Sequence, residues 1–198
     1  MQTQVVGPAI ARHLSSCTSG ALNIPVSLPV AGGERRRIDP CKGKPMSLRQ
    51  EMLQLVRALD AAHLPYALCG GLAMAVHGWP RATMDVDLLV EEARLAEAKR
   101  LARSLGFTHD AGEMSLAAGR VRLCRLVKVV GEEFFPLDLL TVTTDLLPAW
   151  ESRVQALTDD GPITVVSGEG LIRMKSLRES GTDRDDIRRL KGEPNEAG

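Results

Sequence analysis

The chain has 198 residues, which is enough for one domain with a proper hydrophobic core. Lys and Arg together number 25, and so do Asp and Glu, so no overall field draws the protein onto nucleic acid or an acidic membrane. Aromatic residues make up only 3%, which argues against a stacking platform for single-stranded nucleic acid. The four cysteines are scattered without a CxxC pair and predict neither a zinc site nor a disulfide framework.

The N-terminal part of the chain differs from the rest. Residues 1–45 mix Gly, Pro, Ser and Thr without a sustained period and end in "AGGERRRIDPCKGKP". We interpret them as a disordered leader or an overextended start rather than a functional basic arm, and we assign the folded domain to residues 46–198. The absence of a signal-like start and of an apolar run of roughly 20 residues predicts a cytoplasmic protein without a membrane partner.

The first predicted helix begins at Ser47, whose S-x-x-Q spacing to Gln50 is a capping box. The apolar stripe of this helix consists of Leu48, Met52, Leu55, Val56 and Leu59. A short strand at 66–70, a small helix near 71–77 and an apolar strand at 84–90 follow it.

The remaining elements are predicted in the C-terminal half. They are a helix at 91–106, strands at 119–130 and 134–142 joined by a turn, a helix at 145–156, a strand at 163–167 and a helix at 169–178. Gly181 ends the last of these, and a second capping box at Thr182 and Asp185 predicts a final helix through Lys191. Strands alternate irregularly with helices, so we predict an α/β (α+β) fold with a small mixed β-sheet flanked by helices.

Two carboxylates lie in the strand "MDVDLLV", where a buried strand should be apolar. Residues two apart on a strand point to the same face, roughly 6.6 Å from each other, so Asp85 and Asp87 can converge. Two carboxylates at that spacing repel unless cations lie between them. A pair of Mg²⁺ or Mn²⁺ ions about 3.5–4 Å apart would resolve the conflict and support in-line phosphoryl displacement. Asp138, in the strand "FFPLDLLTV", is the predicted third carboxylate.

Gly70 and Gly71 lie between the first strand and the small helix, where backbone N–H groups can approach a triphosphate that no side chain blocks. Neither a GG pair nor a D-x-D pair is specific alone, because surface strands often contain alternating aspartates. Their order here is specific: a GG pair, an apolar helix, then D-x-D inside an apolar strand. This order favours active-site carboxylates over solvated ones.

The stretch "CGGLAMAVHGWPRATMDVDLLV" resembles the hG[GS]…Dh[DE]h signature of the polymerase-β-type nucleotidyltransferase superfamily. Its spacing of GG, HG, R-x-T and D-x-D is similar to that of small bacterial nucleotidyltransferases of the AbiEii/AbiGii toxin type. The segment "GLIRMKSLRESGTDRDDIRRL" is similar to the LI-x-x-K…D-x-x-DI segment of that family. The resemblance covers about residues 47–191.

This resemblance implies a nucleotidyltransferase fold and a set of site residues. Those implied to be catalytic are Asp85, Asp87, Asp138 and Lys175, and the three aspartates are also the implied metal ligands. Those implied to bind the nucleotide are Gly70, Gly71, Arg81, Thr83, Lys175 and Asp183. The chain departs from the family where Gly71 replaces a frequent serine and where Ser180 occupies the place of an arginine, for which Arg178 is a candidate substitute.

Several of these residues also have structural interpretations. Arg81 is as consistent with a surface cation as with a phosphate contact. Lys175 lies on an amphipathic helix, where a lysine ordinarily faces solvent, and Asp186 is expected to cap that region or pair with Arg184 or Arg189. His77 is expected at a helix end, bonded to the backbone rather than acting in catalysis. The cations of the C-terminal segment form either a solvated face or an approach surface for RNA or a nucleotide.

The function that the resemblance implies is Mg²⁺-dependent transfer of NMP from an NTP to an acceptor hydroxyl, with release of pyrophosphate. The implied acceptor is a tRNA end or a protein side chain, and the implied biological role is that of a toxin with a cognate antitoxin. A small-molecule acceptor, as in antibiotic-modifying nucleotidyltransferases, is one alternative. A non-catalytic nucleotide-sensing or partner-binding module on the same fold is another, which the complete set of three aspartates disfavours.

Overall fold

The computed structural model describes residues 47–178 and 180–193, and within these residues it shows a mixed seven-stranded sheet with helices packed on it. The leader predicted for residues 1–45 lies outside the described residues. The helices are α1 (Leu48–Ala61), α2 (Gly70–Val76), α3 (Leu95–Ser104), α4 (Leu147–Glu151), α5 (Gly168–Arg178) and α6 (Gly181–Leu190). The strands are β1 (Ala67–Cys69), β2 (Val86–Val90), β3 (His109–Leu116), β4 (Val121–Val130), β5 (Glu133–Thr141), β6 (Val154–Thr158) and β7 (Gly161–Val165). The predicted fold class is confirmed.

The two central strands β1 and β2 are buried along their whole length. The strands follow the order β3-β4-β5-β2-β1-β7-β6. All five residues of β2 are buried, as are all three of β1. Strand β2 pairs with β5 in parallel, which places Asp87 opposite Asp138, and with β1 in antiparallel, which places Cys69 opposite Asp87. The sheet therefore brings these carboxylates together at its centre.

Helix α1 begins as predicted. The side chain of Ser47 accepts a hydrogen bond from the backbone N–H of Gln50, and the backbone N–H of Ser47 donates to Oε1 of Gln50 at 2.8 Å. Its apolar face is buried in the core, together with Glu51, whose carboxylate lies 2.9 Å from Nζ of Lys128 on β4. In the described part of the chain, no helix has both the length and the apolar character needed to cross a membrane.

The helix predicted at 145–156 is wrong beyond its first turns. Helix α4 ends at Glu151, and the chain then forms β6, which pairs with β7 through a tight turn closed by Gly161 at φ 108°. The apolar residues of this segment fit a helical period, but strand pairing satisfies the backbone groups along the edge of β7.

Strand β3 was not predicted, because most of its residues are exposed and it shows no apolar alternation.

The capping box predicted at Thr182 and Asp185 is also wrong. Helix α6 begins two residues earlier, with Ser180 as its N-cap accepting a hydrogen bond from the backbone N–H of Asp183 at 3.1 Å. The Ser180 hydroxyl also donates to Oδ2 of Asp183 at 2.6 Å. The observed pair Ser180–Asp183 and the predicted pair Thr182–Asp185 have the same spacing. Burial of the Asp183 side chain favours the observed pair.

Candidate active site

Asp85, Asp87 and Asp138 converge in the structure. Asp87 lies on β2, Asp85 immediately precedes that strand, and Asp138 lies opposite Asp87 on β5. One carboxylate oxygen from each lies within 4.8 Å of the others. Thr83 holds Asp85 in place, since its hydroxyl donates to Oδ1 of Asp85 at 2.8 Å. The predicted meeting of the three aspartates is therefore confirmed.

The electrostatics of this cluster favour a bound cation. Asp87 is only 8% exposed, and burial, followed by the charges of Asp85 and Asp138, raises its pKa to about 7. A divalent cation among the three would offset the repulsion and lower that pKa again. Three carboxylate oxygens are the ligand set that Mg²⁺ and Mn²⁺ prefer, so the residues fit such an ion.

Arg125 is a site residue that the sequence reasoning missed. It lies on β4 directly opposite Asp138, and its Nε and Nη2 donate to the two oxygens of Asp138 at 2.6 and 2.7 Å. Its Nη2 also lies 3.9 Å from Oδ2 of Asp85. The guanidinium thus neutralises part of the carboxylate cluster. The predicted turn at 131–133 would pair Leu126 with Asp138, whereas the observed turn is one residue shorter, pairs Val130 with Glu133 and so places Arg125 opposite Asp138.

The GG pair is explained by close packing. Gly70 has φ +64°, and a Cβ on it would collide with the carboxylate of Asp87. A Cβ on Gly71 would lie 2.5 Å from Oγ1 of Thr83, closer than real Cβ atoms come. Both glycines therefore give Asp87 and Thr83 the room they occupy beside the start of α2.

These residues line one open cleft of about 480 Å³. The predicted site residues among its walls are Gly70, Gly71, Arg81, Thr83, Asp85, Asp87 and Asp138. Arg125 and Arg178 complete its charged part, and the side chains of Met84, Met114, Leu116 and Leu123 supply an apolar part. Lys175 and Asp183 lie outside the residues that line this cleft.

Lys175 and Asp183 instead belong to a second charged cluster. Nζ of Lys175 lies 3.3 Å from Oδ1 of Asp183 and 2.7 Å from Oδ2 of Asp186, and Lys175 is only 2% exposed. The solvent-facing interpretation of Lys175 is therefore wrong. The expected pairing of Asp186 with Arg184 or Arg189 is also wrong, because its partners are Lys175 and Arg81.

Each carboxylate of this cluster also holds an arginine. Nη2 of Arg178 donates to Oδ1 of Asp183 at 3.1 Å, and Nε of Arg81 donates to Oδ2 of Asp186 at 3.0 Å. Burial alone would raise the pKa of Asp183, but the Ser180 hydrogen bond and the charges of Arg178 and Lys175 outweigh it and lower the pKa. Asp183 therefore stays ionised.

The remaining predicted candidates have structural roles. His77 caps the C-terminal end of α2, and its Nε2 is hydrogen-bonded to the carbonyl of Val166 at 2.8 Å, as expected for a helix-end residue. Arg173, on the exposed side of α5, pairs with Glu169 one turn away.

The comparisons with known proteins identify the fold. No family model matches the chain, and no curated protein matches it. The solution structure of the antibiotic-resistance factor ANT(2″)-Ia is similar, with 17% identity and a TM-score of 0.50 over 74% of this chain and 85% of that one. The structure of ANT(2″)-Ia in complex with adenylyl-2″-tobramycin has 20% sequence identity and a TM-score of 0.48, over 72% of this chain and 87% of that one. A candidate nucleotidyltransferase from Thermotoga maritima has 13% sequence identity and a TM-score of 0.48, over 70% of this chain and 89% of that one. The similarity to the solution structure of ANT(2″)-Ia supports the fold, so the chain has a nucleotidyltransferase fold.

Proposed function

We propose that the protein is a Mg²⁺- or Mn²⁺-dependent nucleotidyltransferase that moves NMP from an NTP to an acceptor hydroxyl. The convergence of Asp85, Asp87 and Asp138 in the wall of an open cleft is the observation that supports this best. It does so because nucleotidyl transfer needs metal ions beside the phosphates, and these oxygens are hard ligands in a buried, negatively charged setting. The nucleotidyltransferase fold is consistent with the proposal.

In this reaction the acceptor oxygen forms a bond to the α-phosphorus, and the bond from that phosphorus to the bridging oxygen breaks. Pyrophosphate leaves with the electron pair, and the hydroxyl proton passes to water. Asp85, Asp87 and Asp138 would hold the metal, which when bound lowers the pKa of the acceptor hydroxyl and neutralises charge on the phosphates. Thr83 orients Asp85, and Gly70 and Gly71 keep the space beside the carboxylates open.

For the acceptor, we propose a tRNA end or a protein side chain, and the role of a toxin with a cognate antitoxin. The similarity of both motif blocks to the AbiEii/AbiGii type supports this choice. The charged lining of the cleft consists of the three aspartates with Arg81, Arg125 and Arg178.

A small-molecule acceptor is the second candidate, favoured by the fold shared with the antibiotic-resistance factor ANT(2″)-Ia. A non-catalytic nucleotide-binding module is the third. One experiment separates all three: the protein is incubated with each α-labelled NTP and Mg²⁺ or Mn²⁺, with total tRNA, cellular protein or aminoglycosides as acceptors.

We expect label in the tRNA or protein fraction, released pyrophosphate, and loss of both in Asp87→Asn. Asp145→Asn, which changes an exposed aspartate, is the matched control and should behave like the wild type. Label in the aminoglycoside fraction would instead select the small-molecule acceptor. Binding of NTP without release of pyrophosphate for any acceptor would contradict an enzymatic role.

A further inference from the structure

Five side chains of alternating charge form one continuous network beside the cleft. Its order is Arg178, Asp183, Lys175, Asp186 and Arg81, with successive N–O distances of 3.1, 3.3, 2.7 and 3.0 Å. The three central members are almost inaccessible, with exposures of 3%, 2% and 1% in that order. The two arginines at the ends both line the cleft that contains the three-aspartate cluster.

The centre of the network is set back from the cleft, because its three members are almost inaccessible. Lys175 directs its ammonium at two carboxylates and lies outside the residues that line the cleft. Burying two carboxylates is costly unless they are paired, and one ammonium compensates only one of the two charges. The second negative charge is balanced by the arginines, so Lys175 fixes the two carboxylates and they in turn fix the two guanidinium groups.

The arginines at the ends keep donors available. Arg81 uses Nε for Asp186 and Nη1 for the carbonyl of Ala82, and Arg178 uses Nη2 for Asp183. Among the described residues the other N–H groups of both guanidinium groups have no partner. A planar guanidinium that is held by some of its N–H groups directs the remaining ones in a fixed direction, which suits phosphate oxygens.

Their position indicates which part of a ligand they meet. Arg178 lines the cleft together with Gly70 and Asp87, and the same three residues also line a small adjoining cavity of about 20 Å³. Lys175 lies in the wall of this cavity too, but its ammonium is bonded to Asp183 and Asp186. An anion bound beside a metal held by Asp87 would be a phosphate group of the nucleotide. Arg178 therefore lies beside the place where such a phosphate would bind, and Arg81 lines the same cleft.

We propose that Arg81 and Arg178 bind the polyphosphate of the nucleotide and that Lys175, with Asp183 and Asp186, is a positioning residue that holds both guanidinium groups. This inference rests on the proposed function and deepens it, since it names the side chains that recognise the triphosphate. It also replaces the direct lysine–phosphate contact that the sequence implied with contacts from two arginines.

The first test measures binding of Mn²⁺ alone, tripolyphosphate, ATP and AMP by calorimetry to the wild type, Arg81→Gln and Arg178→Gln. Each variant should bind tripolyphosphate and ATP roughly ten- to a hundredfold more weakly, because one charge-assisted contact is lost. The affinity for AMP should fall much less. The affinity for Mn²⁺ should stay within about twofold of the wild type, because neither arginine is a metal ligand. Arg173→Gln, an exposed arginine on the same helix α5, is the matched control and should bind all four ligands normally.

The second test isolates the role of Lys175. If Lys175 acts through the arginines, Lys175→Met should weaken the binding of tripolyphosphate roughly tenfold in the wild-type background. In the Arg81→Gln/Arg178→Gln background the same change should hardly affect that binding. The same loss in both backgrounds would show a direct contact and overturn the positioning role. Should Lys175→Met fail to fold, Asp186→Asn replaces it in the same cycle with the same expected result.

The outcomes also separate this inference from the proposed function. Suppose that the wild type transfers label and that Arg81→Gln and Arg178→Gln bind tripolyphosphate with the affinity of the wild type. The inference is then overturned and the proposed function stands. If the wild type binds neither Mn²⁺ nor tripolyphosphate, both are overturned.

Discussion

At the scale of single residues, Arg125 bonds the carboxylate oxygens that the proposed metal ion would also use. Arg125 bonds both oxygens of Asp138 and lies near Asp85, so it supplies the positive charge that a cation would otherwise supply. The side chain of Arg125 is about one third exposed, whereas that of Asp138 is buried.

We expect Arg125→Ala to increase the affinity for Mn²⁺ by roughly tenfold, the equivalent of one charge-assisted hydrogen bond that no longer has to be broken. The melting temperature without metal should fall, because Asp138 is left buried without its partner. Electron paramagnetic resonance of Mn²⁺ measures the affinity. Arg122→Ala changes an exposed arginine on the same strand and should have no effect on it. Weaker Mn²⁺ binding by Arg125→Ala would contradict this expectation.

Asp183 makes a pH-dependent contribution to stability. Its pKa is lowered in the folded protein, so it stabilises the fold above its unfolded pKa, and that stability is lost as pH falls through the folded pKa. Asp183→Asn should cost about 3–5 kcal/mol at neutral pH, the usual cost of breaking a buried pair from one side.

The difference between wild type and Asp183→Asn should shrink towards pH 2, as the wild-type carboxyl takes up its proton. Urea unfolding at neutral pH and at pH 2 measures both differences. Asp185→Asn, an exposed aspartate on the same helix, should change stability by no more than about 0.5 kcal/mol at either pH. An Asp183→Asn penalty that is the same at both pH values would contradict the ionised pair.

At the scale of elements, the sequence predicts the buried parts of the sheet better than its edges. The D-x-D strand and the third carboxylate were predictable because charged residues stand out in apolar strands, and α1 because its capping box precedes an amphipathic stripe. Strands β3 and β6 were not predictable, because they depend on pairing with β4 and β7 rather than on their own pattern. The charged network beside the cleft joins α5, α6 and the loop before β2, and that proximity arises only in the folded chain.

The start of α6 offers a direct test at this scale. Ser180→Ala should destabilise the protein by about 1 kcal/mol, since it removes both the N-cap and the hydroxyl that donates to Asp183. Thr182→Ala should change stability by less than about 0.5 kcal/mol, although the sequence pattern favoured Thr182 as the cap. Thermal unfolding of the two variants decides between the positions, and a larger effect at Thr182 would contradict the structure.

At the scale of the whole molecule, the described residues contain the sheet, its core and the cleft. Because α1 begins at the capped Ser47, we expect removal of residues 1–45 to change neither the melting temperature nor label transfer. Calorimetry and the transfer assay on the shortened chain test this. A drop of several degrees would show that the removed residues stabilise the domain.

The proposed function requires that Asp85, Asp87 and Asp138 bind the metal at which nucleotidyl transfer takes place. The most direct measurement is Mn²⁺ binding, followed by electron paramagnetic resonance, to the wild type, Asp87→Asn and the exposed control Asp145→Asn. We predict that the wild type and Asp145→Asn bind Mn²⁺ alike and that Asp87→Asn binds it at least roughly tenfold more weakly, because one of three charged ligands is lost. We also predict that Asp87→Asn is as stable as the metal-free wild type or more so, since it removes a buried charge that its neighbours repel. Equal Mn²⁺ affinity in all three proteins would contradict the claim.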